Sequence, residues 1–194
     1  MSRRMPALLL AALTLGAAPA WAATYQLDPA HSSISFKIRH LFTQVPGVFR
    51  DFAGTIDYVP GHPEQWKAAA TVQAASIDTR VEKRDTHLRS ADFLDVDTYP
   101  TIAFRSTEAT DVTERGGKLH GLLTMHGVEK PVVLDFTVLG EGKDPWGNQR
   151  AGFSATTTLD RREFGIVWNE KLETGGVLLG DEVQVTLELE GVVK

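Results

Sequence analysis

The sequence predicts an all-β fold, an antiparallel barrel or sandwich of eight strands with one helical insertion. Three observations predict it. Apolar and polar residues alternate along most of the chain, turn residues separate the alternating segments, and a single segment has a helical composition. Because successive side chains of a strand point to opposite faces, a period of two gives each strand one apolar face.

The eight predicted strands follow one another along the chain, each with apolar residues at alternate positions. They contain Ile34, Phe36 and Ile38; Phe52, Ile56 and Tyr58; Ala70, Val72 and Ala74; Ile102 and Phe104; Leu119, Leu123 and Met125; Val132, Leu134, Phe136 and Val138; Ala151, Phe153, Ala155 and Leu159; and Val183, Val185, Leu187 and Leu189. A barrel of eight strands is either filled by its own side chains or has space for one small ligand. Periodicity does not decide between a filled core and a cavity.

Residues 79–94 break the alternation and predict a helix between the third and fourth strands. The segment contains Val81 and Leu88 among good helix formers. Pro100 then returns the chain to an extended conformation, because the residue before a proline disfavours the helical region.

Length and composition limit the class of protein. The 194 residues, 42% of them hydrophobic and 23% charged, are typical of one folded domain. The absence of Cys excludes disulfides and thiolate chemistry. A net charge of −5 argues against a nucleic-acid partner, and no apolar run reaches the roughly 20 residues of a membrane span. We expect no cofactor.

The N-terminal segment has the pattern of a secretion signal. Arg3 and Arg4 precede a mostly apolar stretch at 7–18, which is too short to span a bilayer. Ala20 and Ala22 then place small residues at the −3 and −1 positions of a cleavage site. A buried N-terminal helix is the alternative, and it explains fewer of these features.

We therefore expect residues 1–22 to be a signal peptide and residues 23–194 to form a single domain in the periplasm. The mature chain has no internal repeat, linker or low-complexity stretch that would divide it. Without Cys, it must be held together by burial of apolar surface alone, which is feasible for a domain of this size.

Several sequence blocks, in order, carry a family resemblance. They are HSSISFKIRH at 31–40, DTHLRSADFLDV at 85–96 running on to YPTIAF at 99–104, LTMHGV at 123–128 with Pro131, DPWG at 144–147, RAGF at 150–153, Asp160-Arg161 with FGI at 164–166 and Trp168, and GDEV at 180–183. Together, from Tyr25 to Val193, they resemble the YceI-like family of polyisoprenoid-binding proteins. Leu94 departs from the pattern, since a second aromatic residue often follows Phe93 in the family.

The resemblance implies an extended eight-stranded antiparallel lipocalin-like β-barrel with a short helical insertion, exported to the periplasm. It also implies that a polyisoprenoid or another long-chain lipid, quinone-like or polyprenyl, binds inside the barrel without catalysis, and it allows a homodimer. The alternative is a periplasmic enzyme that acts on a lipid or its head group through His40, His87 and Asp85. A filled barrel that serves only as an interaction module is a third hypothesis.

Aromatic and apolar residues are the candidate ligand contacts. We expect the following residues to line the interior: Phe36, Ile38, His40, Phe49, Phe52, Leu88, Phe93, Phe104, Phe153, Phe164, Ile166 and Trp168. An ordinary core has the same composition, so composition does not separate the two. His40 continues an inward face and is interpreted either as a contact to a ligand head group or as a core histidine bonded to the backbone.

The remaining polar residues give no catalytic or metal motif. The chain lacks both the GxSxG elbow of hydrolases and the HExxH pair of zinc enzymes. His120 and His126 alternate with apolar residues, so we expect them to point outward. Asp85, His87, Arg89 and Arg161 are interpreted first as structural ion pairs and second as head-group contacts. We expect no catalytic residue and no metal site.

Overall fold

A computed structural model describes residues 23–173 and 175–193. The expected signal peptide, residues 1–22, lies outside the described residues. The strands are β1 Ala23–Leu27, β2 Ser33–His40, β3 Thr43–Phe49, β4 Phe52–Tyr58, β5 Lys67–Gln73, β6 Ile77–Asp78, β7 Thr101–Thr110, β8 Gly116–Met125, β9 Val128–Lys143, β10 Gln149–Asp160 and β11 Leu179–Val193. The helix α1 spans Glu82–Arg89, and short 3₁₀ turns lie at Pro63–Gln65, Ala74–Ser76 and Arg161–Phe164.

The eleven strands form an eight-stranded closed barrel, because three of its strands are each interrupted once. β1 and β2 together form the first barrel strand, β3 and β4 the second, and β5 and β6 the third. All neighbours pair antiparallel. The ring closes because β11 pairs with β10 on one side and with β1 and β2 on the other. The eight-stranded antiparallel barrel is thus confirmed, and the sandwich is excluded.

The sequence pattern did not indicate β1, β3 or β6. β3 contains Pro46, which has no N–H to donate and is typical of edge strands. β6 pairs only with Val48 and Phe49 of β3, so Pro46 lies where β3 has a neighbour on one side alone. The two residues of β6 are too few to show a period of two.

The helical insertion occurs where it was expected, but α1 is shorter than the predicted 79–94. Arg80 has a φ of 65°, so the chain turns before the helix begins. Asp85, with 3% of its surface exposed, accepts hydrogen bonds from the Thr79 backbone N (2.9 Å) and hydroxyl (2.5 Å). Arg89 donates to the carbonyl oxygens of Ala75 (2.9 Å) and Ile77 (3.0 Å). Asp85 and Arg89 therefore fasten α1 to the strand before it.

No helix within the described ranges is long and apolar enough to cross a membrane.

Arg150 joins three carboxylates where the barrel closes. Its guanidinium donates to Asp28 (2.8 Å) after β1, to Glu190 (2.5 Å) in β11 and to Asp144 (2.9 Å) in the turn after β9. Arg150, and secondly His31, hold the pKa of Asp28 at about 2, below its usual value of 3.8. Side-chain hydrogen bonds from Asn148 and Arg150 lower the pKa of Asp144 as well. The closing strands are therefore linked by charge as well as by backbone hydrogen bonds.

We expect Arg150→Met to lower the thermal unfolding midpoint at pH 7, because three carboxylates lose their cation while the apolar stem is kept. Since the folded pKa of Asp28 is depressed to about 2, its contribution to stability is present above about pH 4 and lost as the pH falls through the folded pKa. The difference in midpoint between wild type and variant should therefore shrink below pH 4. Thermal scans at several pH values measure it.

Arg105→Met is the matched control, because Arg105 pairs with Glu129 on the exposed surface. It should leave the midpoint nearly unchanged at every pH. A midpoint equal to wild type for Arg150→Met as well would contradict a structural role for the Arg150 cluster.

Candidate ligand-binding cavity

The barrel encloses a cavity of about 710 Å³, within the range of roughly 300–1,000 Å³ that is usual for sites holding one small ligand. All eight barrel strands contribute to its wall, which is almost entirely apolar. The ionisable side chains in the wall are few. They are His40, Asp57, Tyr58, Lys67, Lys83, Arg84, His87 and Arg161.

Aromatic rings that lie along the wall, over glycines, keep the centre of the barrel open. Phe36 stands directly opposite Gly47 in the β2–β3 ladder, and a Cβ at Gly47 would collide with its ring. The ring of Phe104 likewise occupies the space over Gly121 in β8. Each ring therefore covers the neighbouring strand instead of projecting across the barrel. Small residues such as Ala155 add no bulk to the interior.

Packed aromatic residues close one end of the cavity. Tyr58 contacts both Trp66 and Phe153, with ring centroids 5.1 and 5.7 Å apart. Trp66 packs edge-on against Phe136 at 5.4 Å and donates its indole N–H to the Val59 carbonyl (2.6 Å). Burial raises the pKa of the Tyr58 phenol, so it stays neutral. We call this the aromatic end.

The opposite end, which we call the open end, carries α1, the β2–β3 turn and the connection from β10 to β11. His87 packs edge-on against Trp168 (4.9 Å) and Phe93 (5.0 Å). Val81 and Lys83 both line the cavity and are exposed to solvent, so the rim of the cavity passes between them. The cavity therefore reaches the surface at the open end.

Ten of the twelve residues expected to line the interior lie in the cavity wall: Phe36, Ile38, His40, Phe49, Leu88, Phe93, Phe104, Phe153, Ile166 and Trp168. Phe52 and Phe164 do not. Phe52, 5% exposed, belongs to a packed cluster with Leu27 and Val72. Phe164, 1% exposed, lies in the 3₁₀ turn after β10, where its carbonyl bonds to His126 (3.0 Å). Both are core residues of the ordinary kind.

His40 is one of the polar residues in the cavity wall. It is half-buried and lines the cavity. Among the described residues, no hydrogen bond to its ring is present, so the backbone bond of a core histidine is not observed. Its register partner in β11 is Leu179, whose side chain also lines the wall. With no bond to the described part of the chain, both ring nitrogens of His40 can meet a polar group of a ligand.

Arg161 and His87 also reach the wall, but their polar atoms are already bonded. Arg161, 4% exposed, donates to the carbonyls of Gly180 (3.0 Å), Ile166 (2.7 Å) and Trp168 (2.9 Å). Asp181 pairs with the same guanidinium at 3.2 Å. His87 bonds to Asp92 at 2.8 Å. Arg161 therefore fixes the segment that carries Trp168 and is not available to a ligand.

His120 and His126 do not line the cavity. His120 bonds to the Thr110 hydroxyl (2.9 Å), and His126 bonds to the carbonyl of Phe164.

The site list drawn from the sequence missed much of the wall. Many of the missed residues lie on β8, β9 and β11, where the period of two indicates an inward face: Leu119, Leu123, Met125, Val132, Leu134, Phe136, Val138, Val183, Val185, Leu187 and Leu189. Tyr58 and Trp66 at the aromatic end, and Val81, Lys83 and Arg84 at the rim, were also missed. The rim residues carry no periodic signal, since they lie where α1 begins.

One cluster in the described part of the chain has the residue types of a metal site. Ligand atoms of Asp28, His31 and Glu190 lie within 4.8 Å of one another. However, Arg150 donates to both carboxylates. A divalent cation would have to displace this guanidinium against charge repulsion. The cluster is therefore explained by the Arg150 ion pairs.

A closed up-and-down barrel with an apolar cavity, closed at one end, defines the class of lipocalin-like barrels. The YceI-like domain family matches residues 25–191. A UPF0312 protein of Ectopseudomonas mendocina is 41% identical over 190 residues, which cover 94% of this chain and 96% of that protein. The chain belongs to the YceI-like family, as the sequence resemblance predicted.

Solved structures share the fold. Burkholderia cenocepacia BcnA superposes with a TM-score of 0.75 at 24% identity, covering 84% of this chain and 98% of that one. A polyisoprenoid-binding domain from Saccharophagus degradans, implicated in plant cell wall breakdown, gives a TM-score of 0.66 at 14% identity and covers 90% and 100%. At these identities the similarity establishes the architecture.

We expect Phe36→Asp to lower stability and abolish binding of an apolar probe, whereas Lys37→Asp should do neither. Phe36 lines the cavity and Lys37 is exposed on the other face of β2. An unpaired carboxylate in an apolar wall destabilises the folded state by about 2 kcal/mol or more, whereas an exposed carboxylate has almost no effect. Thermal unfolding and fluorescent-probe titration measure both effects. Equal behaviour of the two variants would show that the β2 face assignment is wrong.

Proposed function

We propose that this protein is a periplasmic carrier that holds one long apolar chain of polyisoprenoid type inside its barrel. The observation that carries the proposal is the 710 Å³ cavity with its nearly all-apolar wall. Water in such a space finds few hydrogen-bond partners. An apolar chain that enters the cavity displaces this water and removes its own surface from bulk water, and both changes favour binding. Binding by desolvation needs no chemistry from the protein.

The size of the cavity and the energetics of burial are compatible with a long chain. If each carbon takes roughly the 30 Å³ that a water molecule occupies in the liquid, the cavity holds on the order of 20 carbons. Burial contributes about 0.8 kcal/mol per carbon, so even ten buried carbons correspond to roughly 8 kcal/mol before ordering costs. This is sufficient for useful affinity without a single polar contact.

Structural similarity to another protein favours a polyisoprenoid as the ligand. The Saccharophagus degradans domain with the same fold is a polyisoprenoid-binding domain. Contacts to methyl and methylene groups have no direction, so the wall itself would discriminate weakly between chains. Selection among quinone-like and polyprenyl lipids would then depend on polar groups near the rim, and the free ring nitrogens of His40 are suited to that role.

The surroundings of the candidate catalytic residues support binding without a chemical step. The Asp85 carboxylate is buried against Thr79, and His87 is bonded to Asp92. Neither is hydrogen-bonded to His40, so the three residues proposed for the enzyme hypothesis do not form an acid–base pair. The periplasmic location in this proposal is supported by the signal-peptide pattern of residues 1–22.

Organic extraction of the purified protein followed by mass spectrometry tests the carrier function. We expect a chemically unchanged long-chain lipid in near-stoichiometric amount from wild type. Ala155→Trp should release little or none, because Ala155 lines the cavity and the indole would occupy the ligand's space. Thr156→Trp is the matched control, since Thr156 is exposed on the outer face of β10. It should yield as much lipid as wild type.

An absence of lipid in wild-type extracts, together with no binding of added polyprenyl lipid, would refute the carrier function. A recovered lipid that has been chemically altered, or that the protein converts on incubation, would favour the enzyme.

His40→Leu separates a head-group contact from a structural role. We expect the unfolding midpoint of lipid-free protein to be unchanged, because no hydrogen bond joins the ring to a described residue. Affinity for a polar-headed lipid should fall several-fold, since one hydrogen bond contributes about 0.5–1.5 kcal/mol. Affinity for a plain hydrocarbon probe should stay the same. A lower midpoint with unchanged lipid affinity would exclude His40 from the site.

A further inference from the structure

Large exposed hydrophobic side chains concentrate at the open end of the barrel. Four of the seven in the described residues lie there: Phe42 (97% exposed), Val81 (47%), Val167 (60%) and Val177 (40%). Val133 and Leu139 belong to the outer face of β9, and Trp146 lies in the turn between β9 and β10 at the aromatic end. Single exposed hydrophobics are ordinary, but a set that surrounds the mouth of an apolar cavity requires an explanation.

The β2–β3 turn does not have the residue types that are usual in a two-residue hairpin turn. His40 pairs with Thr43, which leaves Leu41 and Phe42 as the turn. Leu41 has a φ of 52°, a conformation that Gly, Asn or Asp adopts at lower cost. Phe42 places nearly its whole ring in water. Strain and exposed aromatic surface at one turn are unfavourable for folding, so they point to a binding role.

This turn continues the wall of the cavity. The Leu41 N–H donates to the Leu178 carbonyl (2.9 Å), and Leu178 lines the cavity. The next residue back, His40, is also in the wall. An apolar chain that leaves the cavity at this side therefore meets the Leu41–Phe42 turn first.

Cations stand beside the apolar residues. Arg39 donates to the Leu41 carbonyl (3.0 Å), and Lys83 at the rim forms no ion pair with any described residue. Apolar side chains that enter the acyl boundary, with Lys or Arg at the phosphate level, are the pattern of interfacial membrane binding. The chain as a whole carries −5, so insertion of apolar residues, not net charge, must supply the attraction.

We propose that the Leu41–Phe42 turn, with Val81, Val167 and Val177, docks the open end on a phospholipid bilayer. The apolar chain then passes between the bilayer and the cavity without crossing water. The transfer route rests on the proposed carrier function, whereas docking itself is measured separately.

Flotation with neutral phosphatidylcholine vesicles tests the docking surface. Wild type should float with the vesicles, and Phe42→Ala should reduce the partition coefficient about tenfold, as expected for the loss of one buried aromatic side chain. Trp146→Ala is the matched control, since Trp146 is 82% exposed but lies at the aromatic end. It should float like wild type. Thermal midpoints of the variants show that each is folded.

The absence of Cys from the chain allows a second, site-specific measurement. A single Cys introduced by Phe42→Cys and labelled with a nitrobenzoxadiazole dye should show a blue-shifted emission when vesicles are added. The same dye at Trp146→Cys should show no shift. The label reports entry of that one position into an apolar environment.

Equal flotation of wild type and Phe42→Ala, or no flotation of wild type, would overturn the docking surface. So would a change in oligomeric state for Phe42→Ala without a change in vesicle binding, because the turn would then contact a second copy. Titration of an apolar fluorescent probe without vesicles measures the affinity of the cavity alone. Wild type and Phe42→Ala should bind this probe equally well. Vesicle binding without probe binding would overturn the carrier function and the transfer route while leaving the docking surface.

Discussion

Closure of the backbone ladder is the constraint on which the rest of this structure depends. A barrel with an open centre cannot rely on side chains that meet across its axis. Its strands must instead be held by hydrogen bonds on both edges, which only a closed ring provides. β11 completes the ring by pairing with β10 and with both β1 and β2. Arg150 adds ion pairs at the same place, where the last strand of the chain meets the first.

The cavity follows from how the wall is packed. In the middle of the barrel, Phe36 covers Gly47 and Phe104 covers Gly121, so large rings contribute apolar surface without filling the interior. At the aromatic end, the rings of Tyr58, Trp66 and Phe153 pack on one another instead. Aromatic side chains therefore cover glycines in the middle of the barrel and pack into a cluster at the aromatic end.

This dependence on cross-strand neighbours explains which features the sequence could predict. The period of two reports the face of each residue, and it identified all eight barrel strands; ten of the twelve residues placed inside the barrel do line the cavity. It does not report which residue lies opposite on the next strand, so it could not decide between a filled core and a cavity. Phe52 was assigned to the cavity wall because it lies on an inward face, yet it packs in a cluster with the wall residues Leu27 and Val72 and does not line the cavity itself. β3 was missed because Pro46 and Gly47 are both atypical of strands.

The two ends of the barrel differ in the number of residues with an unfavourable backbone conformation. Four of the five non-glycine residues with positive φ lie at the open end: Leu41, Arg80, Asp95 and His126. Such conformations are unfavourable and persist only where surrounding contacts hold them. Arg80 precedes α1 and is held by the Asp78 carboxylate, while His126 packs on Tyr99. Leu41 differs, because its neighbour Phe42 is 97% exposed among the residues that the structure describes. The regular strands thus form most of the cavity wall, and the strained turns lie at the end where we propose that a ligand enters.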